Sequence, residues 1–281
     1  MTNDSTCAGW FQGVDPGDLD AACNAIEHCS ADEPADWPAQ AVNASFAEDE
    51  DEYYSLLHDA SMAATRQAVQ DAERADDQQL KHSIRAMDDA ERTANVLAER
   101  VAEWAGSLFD GAGDGVAGAR AVAGREPATP VEERAVALAE RAVALDEERE
   151  SLRAFVERRA PAVAPNLAAL AGPVLGARLI ALAGGLESLA KLPSGTVQVL
   201  GAEDALFAHL TGGAPSPKHG VIYVHEYVRG TRPEERGSAA RALAGKLSIA
   251  ARIDHYAGDR RPDLEAELAE RIARIRERGD G

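Results

Sequence analysis

The sequence predicts a mainly α-helical protein with a small N-terminal module, a long antiparallel helical hairpin and a globular helical domain. Alanine, the strongest helix former, accounts for 58 of the 281 residues. Aromatic residues make up only 5% of the chain, which is too few for a large β-sandwich. Apolar residues recur at helical spacing in two long segments, and short apolar runs bounded by Gly and Pro follow them.

Residues 1–70 predict a short, acidic α+β or α module. Six of the 13 aromatic residues lie in it, so we expect a small core rather than disorder. Amphipathic spacing predicts helices within Leu19–Ile26 and Tyr53–Val69. Five consecutive acids, Glu48–Glu52, predict a solvated segment.

Residues 71–160 predict a coiled-coil hairpin with a loop at 110–130. Apolar residues recur every seven positions in helices over 71–109 and 131–160, which is typical of a coiled-coil seam. The positions are Leu80, Met87, Ala94, Val101 and Leu108 in the first helix and Val131, Leu138, Leu145 and Leu152 in the second. The intervening seam positions are Ile84, Ala98 and Ala105 in the first helix and Ala135, Ala142 and Val156 in the second. Segment 110–130 holds five glycines and predicts a flexible connection. An alanine-rich seam buries little area, so we expect a second copy to pack on it; a plain hairpin packed on its own domain is the alternative.

Residues 161–281 predict a globular helical domain followed by a final charged helix. Short apolar helices fit between the Gly and Pro residues at about 163–171, 173–183 and 185–191, and such all-apolar helices are buried. Longer helices are predicted at about 235–257 and 263–278. The β-branched run Val221–Val228 predicts an extended segment.

The net charge of −19 is unevenly distributed. Residues 1–60 hold 14 acidic residues and no Lys or Arg, whereas residues 161–260 hold 10 basic and 8 acidic ones. The acid excess would repel nucleic acid on average, but the locally basic block leaves nucleic-acid binding open. With 25 Arg against 4 Lys, the composition is typical of a salt-loaded cytosol, so we expect a cytoplasmic protein of halophilic origin. No run of 18 apolar residues and no signal peptide are found, which predicts no membrane association.

The sequence offers little support for catalysis. It has no nucleophile elbow, no P-loop, no dinucleotide-binding glycine motif and no zinc-protease motif. The adjacent Asp254 and His255 are a possible acid–base pair, but a locally hydrogen-bonded surface histidine is the better interpretation. The three cysteines predict reduced thiols and no metal site. We therefore expect a protein that is not an enzyme.

Two segments favour phosphate binding. The first is Gly201–Leu210, where a helix is predicted to begin after a glycine and to present free backbone N–H groups. The second is the Pro-flanked loop Pro215–Gly220, which presents Lys218 and His219. The helix over 235–257 adds Arg236, Arg241, Lys246 and Arg252. This basic helix either contacts a phosphate-bearing ligand or is structural, with Arg236, Arg241 and Arg252 paired with Glu234, Glu235 and Asp254, and the sequence leaves both interpretations open.

In order along the chain, these segments resemble the Nop domain of the archaeal Nop-family scaffold of box C/D small ribonucleoproteins. The matching text runs from VAPNLAALAGPVLGARLIALAGGLESLAKLPSGTVQVLGAEDALFAHL through SPKHGVIYVHEYV to RGSAARALAGKLSIAARIDHYAGD. The segment IRAMDDAERTANVLAERVAEWAGSLF resembles the first helix of the family's coiled coil, and residues 131–160 resemble the returning helix. The resemblance covers about 200 residues and is weakest in the N-terminal quarter.

The resemblance implies a non-enzymatic scaffold that binds a box C/D guide RNA together with a kink-turn-binding, ribosomal-protein-like factor. It implies a homodimer through the coiled coil and recruitment of fibrillarin, whose S-adenosylmethionine belongs to that methyltransferase and not to this chain. The assembly would direct 2′-O-methylation in rRNA processing. Carried over by position, the RNA-facing residues are Gly201, Ala202, Glu203, Phe207, His209, Lys218 and His219, to which charge adds Arg236 and Arg241.

The chain departs from the family pattern at two usually basic positions. Asp204 stands where the family has Lys, and Ala208 where it often has Arg. The N-terminal module and the hairpin loop are also shorter than usual, which bears on fibrillarin binding more than on RNA binding. The alternative function is a helical structural adaptor whose Nop-like domain no longer binds RNA.

Overall fold

The computed structural model describes residues 5–6, 9–31 and 33–277, and almost all of the regular structure in them is helical. The predicted mainly α-helical class is therefore confirmed. The chain divides into two compact units, one ending at Ala75 and the other beginning at Asp76.

The N-terminal unit is built on an aromatic core. Its helices are α1 (Leu19–His28), α2 (Trp37–Asn43) and α3 (Glu50–Arg74), and the two-residue strands β1 (Ser5–Thr6) and β2 (Cys29–Ser30) pair in parallel. The ring of Trp10 packs edge-on against Phe46, with centroids 5.2 Å apart, and its Nε1 donates to the hydroxyl of Tyr53 at 3.2 Å. The buried members of this core are Phe11, Ala41, Phe46, Ala47 and Tyr53.

The acidic run Glu48–Glu52 is exposed, as predicted, and it also begins a helix. Asp49 is the N-cap of α3, because its Oδ1 accepts a hydrogen bond from the backbone N–H of Glu52 at 2.9 Å. The next three acids occupy the first helical turn, where the helix dipole favours negative charge. The run therefore starts a 25-residue helix.

The prediction of reduced thiols holds for Cys23 and is wrong for Cys29, whereas Cys7 lies outside the described residues. Cys23 is a free thiol within 3.7 Å of the carbonyl oxygen of Ala60. Burial, reinforced by Asp20 and Glu27, raises the pKa of Cys23. Cys29 is disulfide-bonded. The prediction failed because an odd cysteine count says nothing about which side chains the fold brings together.

The second unit begins with the antiparallel hairpin of α4 (Asp76–Ala105) and α6 (Pro130–Val163). The start of α4 packs on the end of α6 through the cluster that contains Leu80, Ile84 and Val156. The end of α4 packs on the start of α6 through the cluster that contains Val101 and Ala139. The 34 residues of α6 span roughly 50 Å at the usual helical rise.

The predicted seam is correct for α4 and only partly correct for α6. Leu80, Met87, Ala94 and Val101 are buried in α4, whereas the helix ends before Leu108. In α6, Val131 is 49% exposed and the three predicted leucines are only partly buried. The predicted Ala135, Ala142 and Val156 are buried, and so are Val136, Ala139 and Ala160, which the repeat did not select.

A third helix explains this shift and corrects the predicted flexible connection at 110–130. Residues Gly115–Ala123 form α5, which packs on both hairpin helices through Ala119 and Val122. The turn into α5 requires glycine at 118, because a Cβ there would lie 1.9 Å from the carbonyl oxygen of Gly113. With neighbours on two sides, α6 buries alanines between α4 and α5 rather than a single line of leucines.

Replacing Ala139 with Leu is expected to destabilise the protein by about 1–3 kcal/mol, because extra methylenes in a close-packed seam force neighbouring side chains apart. Ala139 is fully buried. Ala144→Leu on the exposed face of the same helix is the matched control and should change stability by less than about 0.5 kcal/mol. Urea unfolding followed by circular dichroism measures both; equal midpoints would contradict the close packing of α4, α5 and α6.

The globular part of this unit has eight further helices in the described residues. They are α7 (Pro165–Ala171), α8 (Pro173–Ala183), α9 (Leu186–Lys191), α10 (Ser194–Val199), α11 (Glu203–Leu210), α12 (Glu226–Arg229), α13 (Arg236–Tyr256) and α14 (Asp263–Glu277). The extended segment predicted over Val221–Val228 is wrong: a 3₁₀ turn (Val221–Val224) leads into α12. Packing of Ile222 and Val228 into the core outweighs the β-propensity of this run.

No single helix in the described part of the chain is long and apolar enough to cross a membrane. The α7–α8 pair meets the criterion together, but it is bent by 116°. Its apolar side chains, including Leu167, Leu179 and Ile180, are buried in the domain core.

Side chains of α4 anchor the hairpin to the globular helices. Asp77 accepts a hydrogen bond from the backbone N–H of Leu186 at the start of α9, at 2.8 Å. Asp88 pairs with Arg178 of α8. The hairpin and the globular helices therefore form one compact unit.

Candidate RNA-binding surface

The helix α11 projects apolar side chains into solvent. Gly201 precedes it with a φ of +80°, a conformation that glycine adopts without strain. None of its eight residues is buried, and Phe207 and Leu210 are 69% and 75% exposed. An unpaired apolar face of this kind marks a contact surface.

The start of α11 is not the open phosphate site that the sequence predicts. The Oε1 of Glu203 accepts a hydrogen bond from the backbone N–H of Gly201 at 2.8 Å, so a carboxylate already lies against the helix start. Asp204 beside it is exposed. A phosphate approaching this end of α11 would meet two negative charges.

The Pro215–Gly220 loop is held against the α10–α11 junction by backbone contacts. The Nε2 of Gln198 donates to the carbonyl oxygen of Lys218 at 2.7 Å, and the N–H of Gly220 donates to the carbonyl oxygen of Gln198 at 2.8 Å. A Cβ at Gly220 would lie 2.0 Å from the carbonyl oxygen of Leu200, so only glycine fits. At the other end of the loop, His209 Nδ1 lies 3.0 Å from the carbonyl oxygen of Ala214. The two segments singled out in the sequence therefore lie side by side.

We call one group of side chains at this loop the basic cluster. It consists of Lys218 and His219 of the loop together with Tyr223 and Arg236. The imidazole of His219 stacks on the Tyr223 ring with centroids 4.6 Å apart and planes 23° apart. The guanidinium carbon of Arg236 lies 5.5 Å from the centre of the same ring. The aliphatic stem of Lys218 runs past Gly237, 3.9 Å from where a Cβ would stand. Within the described residues the ammonium group of Lys218 has no ion pair.

The surroundings of His219 in the basic cluster favour its neutral form, because they lower its pKa. Burial lowers the pKa of His219 most, and the positive charges of Arg236 and Lys218 lower it further. A neutral imidazole has one donor and one acceptor nitrogen. The cluster therefore combines two permanent cations with one neutral hydrogen-bonding ring, which is a chemistry suited to an RNA backbone.

The other predicted basic residues serve different purposes. Arg241 lines an open groove of about 600 Å³ between α13 and α14, to which Lys218 does not contribute. Lys246 pairs with Glu267, and Arg252 donates to the carbonyl oxygens of Ala190 and Leu192 at 3.0 and 3.2 Å. The predicted ion pairs with Glu234, Glu235 and Asp254 are not found among the described residues. Arg252 does stabilise the domain, but through backbone carbonyls.

The Asp254–His255 pair is not arranged for acid–base chemistry. Asp254 is buried and accepts hydrogen bonds from the backbone N–H groups of Asn166 and Leu167, at 3.0 and 2.8 Å. It also accepts from the Asn166 side-chain amide at 2.6 Å. His255 faces the Tyr256 ring instead. Asp254 is thus a helix cap for α7.

A second histidine, His225, fixes the segment that carries Tyr223. Its Nε2 lies 3.0 Å from the carbonyl oxygen of Leu170, and its Nδ1 accepts from the backbone N–H of Tyr227 at 3.1 Å. This pattern requires the neutral ring with the proton on Nε2. Burial lowers the pKa of His225.

Folding stability is expected to fall as the pH drops below the ordinary histidine pKa of about 6.5. The lowered pKa values of His219 and His225 mean that the unfolded chain binds more protons in this range, so acid favours unfolding. The test is the urea midpoint at pH 7.5 and 5.5 for wild type and His225→Gln. The wild type should lose more stability than the variant; an identical loss would contradict a buried neutral His225.

Sequence reasoning missed Gln198 and Tyr223. Gln198 carries no local signal, because its role depends on a loop 20 residues away. Tyr223 lies in the run Val221–Val228, which the sequence predicts as an extended segment without a binding role. Only the tertiary structure brings it between His219 and Arg236.

Together, the fold and the surface define a mainly α-helical protein that has a long helical hairpin and a cation-bearing contact surface. A family model described as "Nop: snoRNA binding domain, fibrillarin" matches residues 115–277, more than half of the chain. The chain belongs to the Nop family.

Relatives with curated descriptions match part of the chain. An uncharacterized NOP5 family protein of Methanocaldococcus jannaschii is 54% identical over 131 residues, which cover 46% of this chain and 31% of that protein. Nucleolar protein 58 of Debaryomyces hansenii is 46% identical over 112 residues, covering 40% and 22%. Nucleolar protein 56 of Schizosaccharomyces pombe is 44% identical over 108 residues, covering 38% and 22%. The chain thus spans less than a third of the length of these relatives.

Among solved structures, the chain resembles one from the crystal structure of a fibrillarin/Nop5p complex. The TM-score is 0.54 and the sequence identity 24%, with 91% of this chain and 92% of that chain covered. At this identity the likeness establishes the fold.

Proposed function

We propose that this protein is the scaffold subunit of a box C/D guide ribonucleoprotein, which binds a kink-turn RNA together with its primary binding protein. The observation that carries the proposal is the convergence of exposed α11 with the basic cluster on one side of a Nop-family domain. The cluster offers Lys218 and Arg236 to phosphate oxygens. The apolar Phe207 and Leu210 are available for a protein or base contact.

The test is a gel-shift titration of the protein against a box C/D kink-turn RNA, with and without the kink-turn-binding protein. Binding only to the preformed RNA–protein complex supports a composite surface made by both partners. The assay belongs in high salt if the acidic composition reflects a salt-loaded cytosol, which we propose as the protein's environment. No binding in either arm would contradict the proposal.

The carboxylates at the start of α11 favour a second candidate, a helical adaptor whose Nop-like domain no longer binds RNA. Glu203 occupies the helix start, and Asp204 stands at a position that is usually basic in the family. Against this candidate, Lys218 and Arg236 keep their cationic groups without carboxylate partners in the described residues. The adaptor predicts a folded protein that binds neither the RNA nor the RNA–protein complex.

Asp204→Lys is expected to steepen the salt dependence of binding to the RNA–protein complex. Adding one phosphate contact changes the slope of log K against log salt by about −0.9. Glu148→Lys, at an exposed position on α6, changes the charge equally and should leave the slope unchanged. Equal slopes for wild type and Asp204→Lys would place residue 204 outside the RNA interface.

We further propose that the N-terminal unit recruits fibrillarin, which would supply both S-adenosylmethionine and the methyl-transfer chemistry. The support is the fold likeness, across 91% of the chain, to a structure titled as a fibrillarin complex. Adding fibrillarin to the RNA–protein complex should produce a further gel shift only when this protein is present. A supershift without this protein would show that fibrillarin binds elsewhere.

The hairpin is proposed to form a homodimer. Val96, Val131 and Phe155 lie on it with 56%, 49% and 39% of their surface exposed, and a second copy would cover such residues. Light scattering in multimolar salt should give twice the chain mass of 29.7 kDa. The monomer mass at micromolar concentration would overturn this part of the proposal.

A further inference from the structure

The ring of Tyr223 is the common contact of two groups that come from different parts of the chain. His219, in the Pro-flanked loop, stacks on it at 4.6 Å. Arg236, in the first turn of α13, lies 5.5 Å from its centre. The ring itself is partly buried and packs against the domain core, which fixes its plane.

Arg236 is oriented from two sides. Its Nε donates to the carbonyl oxygen of Thr231 at 3.0 Å, and its guanidinium lies near the Tyr223 ring, an arrangement that attracts a cation to the ring. Its terminal amino groups have no hydrogen bond to any described residue. They are therefore available to an external acceptor, and the stem of Lys218 passes the neighbouring Gly237.

We infer that Tyr223 is a positioning residue, which sets His219 and Arg236 to receive one phosphodiester group of the bound RNA without contacting the RNA itself. The inference rests on the proposed RNA-binding function. A planar guanidinium is suited to paired hydrogen bonds with phosphate oxygens, but only while its plane is held. Without the ring, Arg236 and the His219 loop would each gain rotational freedom, which binding would then have to remove.

The chain contains a matched control, because Tyr227 has similar surroundings at another place. Its ring lies 4.9 Å from the His225 ring and 5.9 Å from the guanidinium carbon of Arg276. It also packs, partly buried, against the same core. Unlike Tyr223, it lines a cavity with Leu175 and Leu268, to which no residue of the Pro-flanked loop contributes.

The test compares full-length Tyr223→Leu, Tyr223→Phe and Tyr227→Leu with wild type. Leucine keeps apolar packing but removes the π face, whereas phenylalanine keeps the ring. We expect Tyr223→Leu to weaken binding to a kink-turn RNA bound by its kink-turn protein by about fivefold or more. We also expect it to lower the magnitude of the salt slope by about one, as for the loss of one phosphate contact. Tyr223→Phe and Tyr227→Leu should bind like wild type.

A second readout does not depend on RNA. In an NMR titration of the free protein, Tyr223→Leu should raise the pKa of His219 toward its ordinary value, because the ring that buries the imidazole is lost. Tyr223→Phe and Tyr227→Leu should leave that pKa unchanged. Urea unfolding of all four proteins separates these effects from a general loss of fold.

The outcomes distinguish a failure of this inference from a failure of the proposed RNA-binding function on which it rests. If wild type does not bind the RNA–protein complex, the proposed function fails. If wild type binds and Tyr223→Leu binds with the same affinity and salt slope, the positioning role is overturned and the function stands. Equal weakening by Tyr227→Leu would also overturn it, because the effect would then belong to core packing.

Discussion

Lys218→Ala is expected to weaken binding to the kink-turn RNA–protein complex by about tenfold or more. A charge-assisted hydrogen bond contributes about 1.5–3 kcal/mol, and each 1.4 kcal/mol is a factor of ten in affinity. The loop fixes the backbone of Lys218 through Gln198, so little reorganisation is needed for its ammonium group to meet a phosphate. The salt slope should also fall in magnitude by about one, since one fewer phosphate is neutralised.

Lys191→Ala is the control for this experiment. Lys191 is an exposed lysine on α9 that pairs with Glu187 at 2.6 Å. Its removal changes the net charge by the same amount at a position outside the basic cluster. We expect near-wild-type affinity and slope. Equal losses for the two variants would mean that binding depends on overall charge rather than on the geometry of the Pro-flanked loop.

The second large effect concerns stability: Asp254→Ala should lower the free energy of unfolding by about 3 kcal/mol or more. The carboxylate accepts three hydrogen bonds in the core, and its removal leaves their donors unsatisfied. Each buried unsatisfied donor costs about 1–3 kcal/mol. Because Asn166 also accepts from the backbone N–H of Arg261 at 2.6 Å, the loss would loosen the junction of α7, α13 and the chain before α14.

Asp259→Ala is the matched control, because Asp259 is exposed and contributes only its carbonyl oxygen to this junction. It should change stability by less than about 0.5 kcal/mol. Urea midpoints measure both variants. A small effect of Asp254→Ala would contradict the buried cap and reopen a chemical role for the Asp254–His255 pair.

The seven-residue repeat predicts the buried face of α4 better than that of α6. In α4 the seven-residue repeat identifies Leu80, Met87 and Val101, which are buried against α6. In α6 the same reasoning correctly selects Ala142 and Val156, but it also selects Leu138, which is only partly buried, and misses the fully buried Ala139. A repeat in one helix does not reveal that α5 packs on a second side of it.

The candidate surface shows a similar division between local and distant causes. The prolines and Lys218 make the loop recognisable in sequence, and a glycine marks the start of α11. That Glu203 would fold back onto Gly201 depends on a side-chain conformation that the sequence pattern does not determine. The meeting of Tyr223 with Arg236 depends on how α13 packs, which no local pattern encodes.

The distribution of charge distinguishes the cations of this surface from other basic residues of the chain. On an acidic chain, Lys218 and Arg236 are cations that no described carboxylate neutralises, whereas Lys246 and Arg178 are paired. The apolar side chains of α11 add contacts that salt does not screen. A surface of this composition is suited to bind RNA at high ionic strength, where many phosphate contacts would be costly to maintain.

The most direct test of the account is to map the contact itself. Ultraviolet crosslinking of the wild-type protein to a kink-turn RNA bound by its kink-turn protein, followed by mass spectrometry, identifies the peptides next to the RNA. If α11, the Pro-flanked loop and Arg236 contact the RNA, we expect crosslinked peptides from 201–220 and from the first turn of α13. Crosslinks confined to the hairpin of α4 and α6, or to the N-terminal unit, would contradict it.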